Sequence, residues 1–370
     1  MRFSRTSSFP RPAVGRRLIP ATLLVAGLVV AACASGSNTA PTSSPTTLDV
    51  STLPPGTDVS VPDSAAPDTV GTAPTTAPNG PPAYPLTGLP MSDPAAADRP
   101  AVVVKVGNYD AHPQRGSVNA DIIYEEIINA NVSRFAFVFQ SKSAREVGPI
   151  RSGRRQDIDL FGSFNKPVFA WAGGNPTVTG EIRASDLVDF SQSKCKGTCY
   201  RSGDDSPVEF TLMFNVDQVF KMAFPTAGKP PAQFQYLASG EAPAGAPSAG
   251  VKLSMENYKI DWTWNASTKQ YDRVQNGRPD KDKNGPQISM QNVVVLEMVY
   301  IPGVSHSPDA QSTGKGQAWV FTGGNVVHGN WARANRSKVF TLTDDSGKII
   351  KLTPGRTFIE LPRKGNTTPK

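Results

Sequence analysis

Asp121-Ile122-Ile123-Tyr124-Glu125-Glu126-Ile127-Ile128, then Asn129-Ala130-Asn131, then Ser133-Arg134-Phe135-Ala136-Phe137-Val138-Phe139-Gln140, is the stretch that decides the fold. Two apolar-rich runs of strand length flank a turn built from asparagines, which predicts a β-hairpin. Neighbouring strand residues point to opposite faces, so Glu125 and Glu126 are expected on opposite sides of the sheet. A glycosidase needs two carboxylates straddling one bond, which adjacent strand residues cannot provide. The bland role for either is to pair with Arg134 or Arg151.

Downstream lies Val147-Gly148-Pro149-Ile150-Arg151-Ser152-Gly153-Arg154-Arg155-Gln156-Asp157, with three arginines in five positions after a Gly-Pro break. Ser152 is a good helix cap, and Asp157 to Phe161 could continue as a short helix. Arg154 and Arg155 would then occupy the first turn, where cations are disfavoured. Two readings stand. The charges neutralise each other locally, Arg154 with Asp157 and Arg155 with Asp159, as structural ion-pair clusters do without any ligand. Alternatively, an anion sits among the arginines and free backbone amides. Gly173-Gly174-Asn175, ahead of Pro176 at the start of a predicted helix, could add amides to such a site. It is no phosphate loop, because the Gly-Lys-Ser/Thr ending is missing. The anion-facing set is therefore Arg134, Arg151, Arg154, Arg155, Gly173, Gly174 and Asn175.

Ala101–Val106 and Pro167–Trp171 are further strand candidates, and Asn215–Ala223 a short helix, so residues 84–225 read as a mixed-sheet α/β domain. Residues 226–250 are rich in Pro, Gly and Ala and read as a linker. From 251 to 370 the pattern is β: short strands separated by Asn276-Gly277, Gly323-Gly324-Asn325 and Asp344-Asp345-Ser346-Gly347 predict a mostly antiparallel sandwich or partly open barrel. The fold class is thus α+β or α/β, an α/β half followed by a β half.

The net charge of +7 is concentrated at the start of the chain. Residues 1–33 hold five arginines and no acid, leaving 33 basic against 31 acidic side chains elsewhere. That near-neutral remainder offers no electrostatic argument for nucleic acid as a partner. The arginines precede a short apolar run, Leu18 to Ala32, which is too short to span a membrane and suits a signal peptide. It ends in Val30-Ala31-Ala32-Cys33, which looks like a bacterial lipobox. The resemblance implies cleavage before Cys33, a lipid (diacylglycerol, palmitate) on its sulfur, and a place on the extracytoplasmic face of the cell membrane. Residues 34–83 contain ten prolines and no lysine or arginine. They are expected to form a disordered tether, roughly 40 Å across as a coil. The remaining cysteines, Cys195 and Cys199, read as a disulfide in an oxidising compartment. His112, His306 and His328 are widely separated, so no metal site is expected, and no motif calls for a cofactor.

Pro85-Leu86-Thr87-Gly88-Leu89, Ala120–Glu126, Ser133-Arg134-Phe135, Val147–Arg154 and Ala170–Gly174 form one set of motifs, and Tyr271-Asp272-Arg273, Asn292–Val295, Gly329–Arg333 and Leu352–Thr357 form a second. Through them the chain resembles the YerB-like bacterial lipoproteins, which carry a two-part domain of unknown function. Many members have a Pro-His-Asn-like run where this chain reads Pro207 to Met213 without a histidine. The family supplies fold and location but no reaction.

The reading is a membrane-anchored envelope lipoprotein, a non-catalytic binding or scaffolding module with an arginine-lined anion site. Its partners are the membrane, through the lipid, and an anionic envelope polymer or envelope protein. The alternative is a cell-wall hydrolase or transferase using Glu125, Glu126 or His328. Trp262 and Trp264 share a strand face and are candidates for a sugar-stacking platform, against the commoner role of core packing.

Overall fold

The computed structural model describes residues 82–108, 113–202, 207–283 and 285–370. The signal peptide, Cys33, the tether up to residue 81 and His112 lie outside the described residues.

The predicted hairpin forms. Strands β2 (Ile122–Ile128) and β3 (Val132–Phe139) pair antiparallel, and Ala130 and Asn131 turn through positive φ of 64° and 55°. On the other side β3 pairs with β1 (Val102–Gly107), which runs parallel to β4 (Val168–Ala170), itself parallel to β5 (Val188–Asp189). These strands belong to one eleven-stranded mixed sheet. Its order is Thr341–Asp344, Asn325–Arg333, Gly314–Thr322, Asn292–Leu296, Thr357–Leu361, β2, β3, β1, β4, β5, with Ala246–Pro247 beside Asn325–Arg333.

The two halves of the sequence meet inside this sheet. Thr357–Leu361, from the end of the chain, lies parallel to β2, with Glu360 in register with Glu125. Most of the remaining C-terminal strands form a six-stranded antiparallel sheet built on Gly250–Met255, Tyr258–Asn265 and Gln270–Gln275. The fold is therefore an N-terminal mixed α/β portion followed by a mostly antiparallel β portion. Residues 226–250 are tied to it: Tyr236 donates to Leu86 O and Gln233 accepts from Ser163.

The large sheet is buried on both faces, which is why β1 and β2 read as nearly continuous apolar runs. Ile123, Ile127, Phe135, Phe137 and Phe358 pack on one face against Val251, Ile260, Trp262 and Tyr271 of the smaller sheet. Ile122, Tyr124 and Val138 pack on the other against Leu160, Phe161, Phe164, Val178 and Ile182. Those five come from helix α1 (Gln156–Leu160), the turn after it, and helix α2 (Pro176–Ala184).

The two tryptophans do not form a sugar-stacking platform. Trp262 is fully buried between the sheets and Trp264 packs on Tyr271 at 4.8 Å, so both serve the core. Cys195 and Cys199 lie with sulfurs within bonding reach and Cα atoms 5.6 Å apart.

Candidate functional site

The arginine stretch is held where β1 and β4 separate. Gly107 N donates to Pro149 O at 2.9 Å, Arg151 N to Lys105 O at 3.0 Å, and Ala172 N to Arg151 O at 3.1 Å. Residues 149–151 thus fill the gap between the carboxyl ends of two parallel strands. In open α/β sheets that end, at a change of strand order, is where ligands are bound. Arg134 joins from the opening of β3, directly across from Gly107 and Glu126.

Three of the predicted arginines converge here. Arg134 donates to Ser152 O at 2.8 Å. Arg154 donates to Gly153 O at 3.0 Å and to Asn129 Oδ1 at 2.9 Å. The Arg151 guanidinium lies 5.1 Å from the centre of the half-exposed Phe210 ring. Burial pulls the Arg134 pKa down to about 9, and repulsion from Arg154 and Arg151 adds to this against the pull of Glu126 and Asp157. Burial likewise lowers Arg154, opposed by the same two acids.

Beneath the arginines lies a fully buried cluster that the sequence did not reveal. Lys105 pairs with Glu126 and, at 2.8 Å, with Asp157. Burial and the Asp157 charge raise the Glu126 pKa to about 7, against the pull of Lys105 and Arg154. Lys105, Arg134 and Arg154 thus outnumber Glu126 and Asp157, and Arg151 adds a fourth cation at the rim. Two buried polar atoms in the cluster, Glu126 Oε2 and Arg154 Nε, have no hydrogen-bond partner. Each costs on the order of 1–3 kcal/mol if left so. Lys105 was legible as an anomaly, a charge inside an apolar strand, but its partners come from elsewhere in the chain.

Other expectations fail locally. Arg155 points outward, 56% exposed, with Glu181 at 3.6 Å, so it stands apart from the three converging arginines. Asp159 lies 3.5 Å from Arg336 rather than pairing with Arg155. Asp157 neutralises Lys105, and its other oxygen accepts the Arg154 backbone N–H at 2.6 Å. Ser152 does not cap α1, which begins only at Gln156. Gly173 and Gly174 do turn through positive φ beside Ser152. The Asn175 side chain, however, is committed to capping α2 through Thr177 N (2.8 Å) and to Ser305 (2.7 Å). That turn therefore offers a ligand backbone only.

Glu125 lies on the opposite face, as parity requires. It meets Arg273, which also pairs with Asp280 and lies 3.6 Å from Glu360. The Arg273 guanidinium is fully buried and stacks on Phe135, Phe358 and Trp262 at 5.2–5.8 Å. Burial works against its charge, yet Glu125, Asp280 and Glu360 together hold its pKa above the ordinary arginine value. Burial and the Glu125 charge push Glu360 well above the usual carboxylate range. This cage joins the two sheets. Its signal was parity: Tyr271, Arg273 and Gln275 all face inward.

His328 is paired with Asp345 at 2.8 Å and packs on Trp319. Its strand is four places from β2, roughly 19 Å at about 4.8 Å per strand. The structure therefore does not bring Glu125, Glu126 and His328 together. Among the described residues no group of His, Cys, Asp and Glu could hold a metal ion. A groove of about 550 Å³ lies elsewhere, lined by Phe234, Arg333, Phe340 and Ile350. Its arginine donates to the carbonyls of Lys338 and Arg336, so those N–H groups are already taken up by the chain.

Comparison with known proteins agrees with these motifs. Residues 86–228 match the N-terminal domain of the protein-of-unknown-function family DUF3048, and residues 250–359 match its C-terminal domain. The chain belongs to this family. It is 25% identical over 290 residues to the putative lipoprotein YerB of Bacillus subtilis (strain 168), covering 75% of this chain and 85% of that one. The crystal structure of the YerB protein from Bacillus subtilis superposes with a TM-score of 0.68 at 23% identity, covering 78% of this chain and 99% of that one. The two therefore share a fold. No helix among the described residues is long and apolar enough to cross a membrane.

Proposed function

We propose that this protein is a lipid-anchored envelope protein that binds an anionic ligand without transforming it. Arg134, Arg151 and Arg154 would take the anion at the carboxyl ends of β1 and β4. The observation that carries this reading is the convergence of those three guanidinium groups. They are drawn from two separate chain segments, Arg154 and Arg151 repel the Arg134 charge, and Lys105, Arg134 and Arg154 together outnumber the acids Glu126 and Asp157. An anion would relieve that repulsion through charge-assisted hydrogen bonds. The Gly173–Gly174 backbone borders the same opening.

The anchor rests on the Cys33 lipobox and on a relative named as a putative lipoprotein. Cys195–Cys199 is read as a disulfide of an extracytoplasmic protein. An anionic envelope polymer or an envelope protein bearing an acidic group are the partners that fit.

The test is thermal unfolding of the purified chain with teichoic-type polymers, muropeptides and lipid phosphates, beside an Arg134→Ala/Arg151→Ala/Arg154→Ala variant. Stabilisation by a recovered, unaltered ligand that is absent in the variant is the expected result. Ligand recovered cleaved would replace the reading with an enzyme. In cells, Cys33→Ser should release the protein from the membrane fraction.

A further inference from the structure

Glu126 and Arg134 face each other directly across the β2–β3 pair, on the same side of the sheet. Residues so placed bring their side chains within contact distance. Yet this carboxylate and this guanidinium form no ion pair. Glu126 Oε1 is taken by Lys105, and Arg134 is drawn aside to Ser152 O. Close by, Glu126 Oε2 is a buried acceptor and Arg154 Nε a buried donor without a hydrogen-bond partner, and the Arg154 charge acts on both Glu126 and Arg134.

A simple anion satisfies only half of this arrangement. With Glu126 ionised, a fully deprotonated anion accepts from the arginines but presents another oxygen lone pair to Glu126 Oε2. The missing group is a hydrogen-bond donor placed beside the anionic centre. Guanidinium groups from two chain segments, approaching from different directions, also suit a tetrahedral group with several oxygens better than a planar carboxylate. We infer that the ligand is a phosphate monoester with a hydroxyl close to its phosphate, the phosphate held by Arg134, Arg154 and Arg151 and the hydroxyl donated to Glu126 Oε2. This rests on the anion reading above and adds to it the organic part of the ligand. Lys105 and Asp157 act behind Glu126: Lys105 fixes one carboxylate oxygen so that the other faces the arginines.

The experiment compares two probes that differ in hydroxyl content, sn-glycerol 3-phosphate and n-propyl phosphate. Both are titrated into the purified full chain in detergent by calorimetry. The pH is 8, above the point near 7 where Glu126 would itself carry a proton. A hydrogen bond to a charged acceptor predicts roughly tenfold tighter binding of glycerol phosphate. In Glu126→Gln that preference should shrink to within about threefold, while propyl phosphate binds at least as well as before.

Equal affinities for the two probes in the wild type, both abolished by Arg134→Ala/Arg154→Ala, would overturn the hydroxyl inference and leave the anion site standing. A preference that survives intact in Glu126→Gln would also overturn it, since the hydroxyl would then be read elsewhere. If neither probe binds the wild type, both readings fall. The wild-type comparison needs no variant to fold.

Discussion

Replacing Arg273 by methionine removes the guanidinium that Glu125, Asp280 and Glu360 share between the two sheets. Methionine keeps most of the aliphatic volume and can still pack on Phe135, Trp262 and Phe358, so the loss is chiefly electrostatic. Removing one partner of a buried ion pair costs about 3–5 kcal/mol, because the remaining charge stays buried without compensation. Here more than one carboxylate is stranded, which places the expected loss toward the upper end at pH 8. At about 2–4 °C per kcal/mol for chains of 150–250 residues, that is a fall in Tm of roughly 10 °C or more. Proton uptake limits the damage at low pH. The pKa of Glu360 is already raised in the folded state. Losing Arg273 pushes the buried acids further that way, so the deficit should shrink between pH 8 and pH 5. Guanidinium denaturation at both pH values measures it. Adding Glu125→Gln to Arg273→Met should recover about 1–2 kcal/mol at pH 8, since one stranded charge is gone. A single variant within 1 kcal/mol of wild type at pH 8, or a double variant no better than the single, would refute the view that the cage is held by its charges.

Two further outcomes follow from the site. Glu126 has its folded pKa raised from 4.5 to about 7. A raised acid pKa favours the protonated form, so the stabilisation is fully present below about 4.5 and is lost as pH rises through 7. The change is on the order of 3 kcal/mol. Glu126→Gln, which cannot ionise, should flatten the stability profile over that window; a slope equal to wild type would contradict the assignment. Asn175→Ala removes the α2 cap and should cost about 1 kcal/mol in thermal unfolding. Because that side chain serves Thr177 and Ser305, anion affinity should change less than twofold; a large loss of affinity would return Asn175 to the site.

What was legible in the sequence was mostly local. The β2–β3 hairpin followed from two apolar runs and an asparagine turn, and the opposite facing of Glu125 and Glu126 followed from the period of a strand. The tight turns at Asn276-Gly277 and Gly323-Gly324 were legible because positive φ favours those residues. The partners were not legible. Glu125 pairs with a residue 148 positions away, and parallel pairing of Thr357–Leu361 with β2 brings Glu360 beside it. No periodicity within one strand specifies which distant strand lies next to it. The arginines were found as a group, but their division was not. Arg154 and Arg155 are neighbours, yet one turns in over Lys105 and Glu126 while the other meets Glu181 at the surface. That choice is made by the path of residues 149–151 between β1 and β4. The expected cap at Ser152 failed for the same reason, since docking into that gap delays the helix to Gln156.

The central claim is that Arg134, Arg151 and Arg154 together take an anion. Arginine Nε–Hε resonances, assigned by single substitutions and followed through a titration with inorganic phosphate, test it most directly. The account predicts saturable shifts of these three signals at a common midpoint, with the caged Arg273 and the outward Arg155 unmoved. Shifts confined to exposed arginines such as Arg155, or none that saturate, would contradict it.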